Sequence, residues 1–231
     1  MPSRNVAPPG RTYNAHRERQ RRRILEAARK LFDQRGIDRV SMAEIVSETG
    51  LRASTIYQYF SNKDDIVWAI LGEVMVDSAV RSKEATATAK TALAKITALL
   101  ELMAEELTKD RGKVRFLAQF DAMYARDWPA DRLLTLEAHI NPQGFQYFGT
   151  LIREGIADGS LRPDLDPELT LHAVINAVIG AQRRLASLGT RVELEYGQPI
   201  DRLFREMIRV ILLGLRKPEI PARGRSRASR Q

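Results

Sequence analysis

The sequence predicts an all-α protein, with an N-terminal three-helix helix-turn-helix domain and a larger C-terminal helical domain. Three observations predict it. Apolar residues recur at helical spacing from about Arg17 to Leu215. No segment shows convincing period-2 alternation, and helix start and stop signals fall where the helical spacing breaks. The 231 residues include no cysteine, which excludes a disulfide framework, a thiolate metal site and a catalytic thiol and fits a reducing cytosol. The first twenty residues have no signal-peptide core, and nowhere does about 18 residues pass without a charge. A cytoplasmic protein without a membrane partner is the expectation.

Charge divides the chain. Residues 1–63 carry +7, residues 64–217 carry −2 and residues 218–231 carry +3. Basicity at the ends favours a polyanion as partner of the first quarter and a different task for the near-neutral remainder. Charge and element pattern divide the chain into a flexible basic arm (1–14), the helix-turn-helix domain (15–63), a connecting helix (64–80), a larger C-terminal helical domain (81–217) and a disordered Arg-rich tail (218–231).

The elements follow in order. From Arg17, the apolar residues Ile24, Leu25, Ala28, Leu31 and Phe32 form one helix face, while Arg19, Arg22, Arg23, Arg29 and Lys30 lie largely elsewhere. Those cations either meet phosphates or form an ordinary solvated face, and the pattern does not choose. Ser41 followed by Glu44 is a capping box opening a short helix that Gly50 ends. The chain restarts near Arg52 or Ala53, with Leu51, Ile56 and Phe60 as apolar anchors, so the segment reads as helix, tight turn, helix. Ser61 or Asn62 caps the next helix, expected to run to about Val80. Further helices are expected at about 88–109, 113–126, 131–140, 142–157, 167–188 and 199–216, with Pro167 and Pro199 at first helical positions.

Phe32 then Gly36, the Ser41 cap, the Val46-x-x-x-Gly50-Leu51 turn and the ending Tyr57-x-x-Phe60-x-x-Lys63 together resemble the DNA-binding domain of tetracycline-repressor (TetR) family transcription regulators, over roughly residues 17–75. Several spaced elements in one order make this more specific than a lone helix-turn-helix pattern. The resemblance implies a homodimer whose recognition helices enter the major groove of a palindromic operator, and a C-terminal domain that binds a small molecule and weakens DNA binding. It places Arg52, Ala53, Ser54, Thr55, Tyr57, Gln58 and Tyr59 in the recognition turn and helix. It puts Lys63 on a phosphate, and Ser41 and Ala43 near DNA at the start of the preceding helix.

Chemistry assigns roles within that set. Hydroxyls, Lys63 and helix N-terminal amides hold phosphate without reading sequence, whereas Gln58 suits adenine, Arg52 guanine and Ala53 a thymine methyl. Tyr57 is expected to lay its ring against the first helix and present only its hydroxyl.

In the C-terminal half, Phe116, Phe120, Met123, Tyr124, Trp128, Phe145, Phe148 and His172 are candidates to line a mostly apolar pocket. The competing reading, ordinary core at helical spacing, applies to each. Ala173, Ala177, Gly180 and Ala181 allow close helix approach, and Phe204, Ile208, Ile211 and Leu212 belong to a helix apolar over more than one stripe. A four-helix dimer interface follows from both. Arg183 and Arg184 either bind an anionic group or rim that interface.

No metal site or cofactor is expected, since His139 and His172 lack ligand spacing. No catalytic residue is expected either: there is no phosphate-binding Gly loop, no G-x-S-x-G and no nucleophile-base cluster. The remaining alternative is a non-specific binder of nucleic acid or acidic membrane acting through its basic ends.

Overall fold

A computed structural model describes the backbone of residues 9–140 and 144–218, with side chains from residue 14 onward except residues 141–148. The arm before Pro9 and the tail beyond Pro218 lie outside the described residues. The helices in chain order are α1 (Pro9–Arg35), α2 (Met42–Thr49), α3 (Ala53–Tyr57), α4 (Lys63–Thr86), α5 (Ala92–Lys109), α6 (Arg111–Tyr124), α7 (Ala130–Ile140), α8 (Gly144–Ala157), α9 (Pro167–Leu188), α10 (Thr190–Tyr196) and α11 (Ile200–Leu215). Among the described residues the only extended pairing is an isolated bridge between Leu161 and Arg216. The all-α expectation holds.

Local chemistry explains most boundaries. Ser41 Oγ accepts from the Glu44 amide at 3.3 Å, and the Glu44 carboxylate accepts from the Ser41 amide at 2.8 Å, completing the capping box of α2. Asn62 accepts from the Asp65 amide at 2.9 Å to start α4. Asp166 accepts from the Glu168 and Leu169 amides at 3.0 and 2.9 Å, with Pro167 in the first position of α9. Each such cap contributes about 1 kcal/mol.

Three boundaries differ from expectation. The first helix begins at Pro9, so residues 9–14, expected as part of a flexible arm, are helical. The fourth runs to Thr86, past the expected end near Val80, because no stop residue intervenes. The short α10, between Gly189 and Gly197, both at positive φ, was not expected; seven residues give too little periodicity to see.

The side chains form two cores. The first holds Ile24, Leu25, Ala28, Phe32, Ile45, Ile56, Phe60, Ile66, Ile70 and Leu71 of α1–α4 and their connections, together with Phe116 and Phe120 of α6. The second holds Leu99, Leu107, Leu151, Val178, Phe204 and Ile208 from α5, α8, α9 and α11. Burying each of these side chains contributes about 1.5–3 kcal/mol.

Helix α6 ties the halves together. Its Lys113 is buried, its ammonium 2.8 Å from Glu106 of α5 and 2.9 Å from Asp77 of α4, and Arg81 reaches Glu106 at 3.1 Å. A buried cation so surrounded fixes the relative placement of three helices, because losing one partner would strand a charge in the interior.

Candidate nucleic-acid interface

The turn between α2 and α3 is built from within. Gly50 sits at φ 64°, the left-handed conformation that ends α2. Thr49, buried, donates to the Val46 carbonyl at 2.8 Å and accepts from the Leu51 amide at 3.1 Å, so the hydroxyl staples both sides of the turn. Sequence reasoning missed Thr49, although a Thr immediately before a helix-ending Gly is the signal.

Ile56 is the buried anchor of α3, with Phe60 just beyond it. Arg52, Ala53, Ser54, Tyr57 and Gln58 are exposed, and Thr55 and Tyr59 are half-buried. Ser41 and Ala43 are exposed at the start of α2. Every recognition candidate on α3 and its flanks therefore has surface available to a partner, and four of the five exposed residues are polar.

Two aromatic side chains exchange expected roles. Tyr57 does not lay its ring on α1; it is 53% exposed. One residue past Ile56 on a helix is a rotation of about 100°, which carries Tyr57 off the buried face. Tyr59 packs against α1 instead: its hydroxyl donates to Gln20 at 2.8 Å, and Arg17 lies over its ring at 5.8 Å.

Lys63 also has an internal task. Its ammonium donates to the Ile37 carbonyl at 2.7 Å and reaches the Asp38 carbonyl at 3.5 Å, holding the α1–α2 loop. An ammonium has three donors, so one remains for an anion.

Behind this face lies the joint to the C-terminal half. Tyr124 of α6 accepts from the Trp68 indole at 2.7 Å and donates to the Asp64 carboxylate. Arg132 of α7 pairs with the other oxygen of Asp64 at 3.1 Å and stacks on Trp68 at 3.8 Å from the ring centre. Burial, and next the bond to Asp64, push the Tyr124 hydroxyl up to about 12. Helix α6 also grips α1: Arg115 pairs with Asp33 at 2.5 Å, and the Gln119 amide accepts from the Ile37 amide at 3.0 Å and donates to the Phe32 carbonyl at 3.3 Å. Arg132 ties α7 to α4 beside Leu133 and Leu136, which pack half-buried on the first core.

The ligand candidates scatter. Phe116 and Phe120 are buried in the first core, beside α1 and α4, rather than inside the C-terminal core. Tyr124 is half-buried at the joint, Trp128 and Met123 are exposed, and the Trp128 ring meets Phe120 edge-on at 6.4 Å. His172 is exposed on α9 and does not face the interior. The side chains of Phe145 and Phe148 lie outside those described. An apolar groove of about 260 Å³ lies instead between α9, α10 and α11, lined by Leu185, Leu203, Phe204, Met207 and Tyr196 among others, and contains none of these candidates.

The interface candidates divide as well. Ala173, Ala177 and Gly180 are exposed and Ala181 half-buried on one side of α9, with open space at Gly180. Ile211 and Leu212 are half-buried. Phe204 and Ile208, in contrast, are fully buried in the chain's own core; the outward apolar residues of α11 are Val210 and Leu213. Arg183 pairs with Asp121 of α6, whereas Arg184 faces Glu195 at 3.7 Å and the Tyr196 ring. Among the described residues no group of His, Asp or Glu is arranged to hold a metal, and no helix is long and apolar enough to cross a membrane.

Comparison with known proteins gives a consistent set of likenesses. The family model for bacterial regulatory proteins of the tetR family matches residues 24–70. The HTH-type transcriptional repressor KstR2 of Mycolicibacterium smegmatis is 26% identical over 150 residues, 65% of this chain and 71% of that protein. KstR2 of Rhodococcus jostii is 22% identical over 216 residues, 92% and 99% of the two chains. Among solved structures, a putative transcriptional regulator from Saccharomonospora viridis in complex with choline aligns at TM-score 0.69 and 24% identity, covering 87% of this chain and all of that one. The KstR2 structure from Mycobacterium tuberculosis aligns at TM-score 0.65 and 20% identity, covering 86% and 95%.

Proposed function

The chain belongs to the TetR family of bacterial regulatory proteins and is a transcriptional regulator rather than an enzyme, and from that premise we propose that it is a homodimeric repressor released from a palindromic operator when a small, mostly apolar molecule binds its C-terminal domain. The observation that carries this reading is the outward polar face of α3, whose residues have no task in the chain's own packing. Arg52, Ala53 and Gln58 read base edges; Ser41, Ser54, Thr55, Tyr57 and the remaining Lys63 donor hold phosphate; Ala43 and Tyr59 flank them. No membrane takes part, and the cytoplasm is where such a regulator acts.

Release works through the joint. An effector bound in the C-terminal half shifts α6 and α7, which hold Asp64 and Trp68 of α4 and, through Arg115 and Gln119, the end of α1. Operator half-sites lie about 34 Å or a multiple apart, so a small change in the separation of the two heads releases both together. The effector's leverage is the difference in its affinity for the two arrangements. Repressors among the relatives support the sign of regulation, and a neighbour solved in complex with choline supports a small-molecule effector.

The test is selection of the purified protein against random duplex DNA at fixed, moderate salt, with Gln58→Ala in parallel. A palindromic motif that loses definition at particular positions in the variant is the expected result. Equal retention of all sequences would overturn specific reading and leave the non-specific binder.

A further inference from the structure

We infer that the N-terminal half of α1 is a second DNA-contacting element, which grips the phosphate backbone beside the half-site read by α3 and adds affinity without adding sequence preference. The inference rests on the duplex-DNA reading proposed above.

The structure sorts the basic residues of α1, which the sequence leaves unsorted. One set is matched by carboxylates. Arg21 and Arg29 both reach Glu73 at 2.8 Å, Lys30 reaches Glu48 at 2.6 Å, and Arg35 reaches Glu44 at 2.6 Å. Arg17, Arg19, Arg22 and Arg23 are different: all four are exposed, and none pairs with a carboxylate among the described residues, although Glu18 and Glu26 lie on the same helix. Arg19, Arg22 and Arg23 stand at i, i+3 and i+4, one face of the helix, where like charges destabilise one another. Glu18 and Glu26 offset part of that repulsion without pairing, which leaves the three guanidinium groups open to an anion from outside.

Their place is beside the reading element. The Arg23 guanidinium lies 3.5 Å from where a side chain on Gly50 would begin, at the turn that opens α3. Arg17 covers the ring of Tyr59, and Gln20 holds its hydroxyl, at the other end of α3. Residues 17–23 of α1 therefore touch the reading element at both ends, Arg23 at the turn and Arg17 and Gln20 at Tyr59. Arg19, one turn before Arg23, extends this face by about 6 Å. The helix is continuous from Pro9, so these cations are presented on a rigid rod rather than a loose arm. Guanidinium groups on a rod beside the reading turn suit phosphate oxygens, which they meet in bidentate geometry.

Because cations that settle on phosphates release counterions, they register as salt dependence. The full chain and its Arg19→Gln/Arg22→Gln/Arg23→Gln variant would be titrated by gel mobility shift over a range of KCl, on the selected operator and on an unrelated duplex. The slope of log K against log[KCl] should become shallower by about 0.9 for each phosphate that the variant no longer neutralises, equally on both duplexes, with the selected motif unchanged. An unchanged slope overturns the inference, as does an equal change in the control Arg126→Gln/Arg191→Gln/Arg202→Gln, which removes the same charge elsewhere. Should the triple variant melt early, Arg19→Gln alone, at an exposed position without a side-chain partner among the described residues, gives a proportionate part of the effect or refutes it. If the wild-type protein selects no motif, the operator reading falls, yet the slope on the unrelated duplex still decides the role of α1.

Discussion

Two faces of this molecule carry side chains that its own packing leaves unused, and they differ in chemistry. On α3 and the start of α1 the unused groups are hydroxyls, an amide and guanidinium groups. On the far helices they are apolar: Leu169, Leu194, Tyr196, Val210 and Leu213 all stand more than half exposed. Water satisfies the first kind, so the head is content alone and a partner must compete with solvent through charge and geometry. Water opposes the second kind at about 25 cal/mol per Å², so the far face has a standing drive to be covered. In the homodimeric repressor proposed above, that asymmetry would separate release from DNA from the contact between subunits.

Three substitutions or conditions would break or sharpen this contrast. The largest effect is expected from Phe204→Ala. Because Phe204 is fully buried, denaturant titration should show a loss of about 3–5 kcal/mol in unfolding free energy. A variant of normal stability that fails to dimerise would return Phe204 to the interface. Next is Leu213→Glu, on the 54% exposed outer face of α11. Sedimentation should give a folded monomer, with operator affinity lower by about 10²-fold because two half-sites are no longer bound as one unit. A persisting dimer would mean that the cover for this face lies elsewhere.

The smallest effect belongs to the head and leaves the far face untouched. The Ser41 amide, then its hydroxyl and Arg35, hold the Glu44 carboxyl down to about 2 from an ordinary 4.5. A depressed carboxyl stabilises the folded state fully above its unfolded value and loses that contribution as pH falls from about 4.5 toward 2. Amide protection, taken relative to the intrinsic exchange rate at each pH, should therefore fall in α2 over that window while α9 and α11 stay unchanged. Ser41→Ala should flatten the response; uniform loosening of all helices would show that the cap is not the acid-sensitive part.

How much was legible in the sequence follows the same division. The head could be read closely because its signals are local: the Ser41–Glu44 box, Gly50 and the Ile56 and Phe60 anchors each lie within a few residues of what they determine. Tyr57 escaped because the side chain that meets α1, Tyr59, is chosen by where a distant Gln20 stands. In the C-terminal half, helical periodicity placed α5 to α9 and α11 to within a few residues, yet could not say which apolar stripe of α11 faces in. Phe204 and Ile208 share with Val210 and Leu213 the same residue chemistry, and only the packing of α5 and α9 against one side separates them. Phe116 and Phe120 read as pocket for the same reason: periodicity shows that a side chain is apolar, but its neighbours, here α1 and α4, come from far along the chain. The pairing of Arg21 and Arg29 with Glu73 is likewise long-range, which is why the basic face of α1 looked uniform.

The joint between the halves has one more consequence. The chain holds two tryptophans, and both lie there: Trp68 under the Arg132 guanidinium and hydrogen-bonded to Tyr124, and Trp128 against Phe120. Cation, phenol and carboxylate all perturb an indole's excited state, so indole emission from the unlabelled protein comes entirely from the place where the two domains meet. The molecule thus carries its own optical gauge of that joint, readable during a titration with any compound that does not itself absorb.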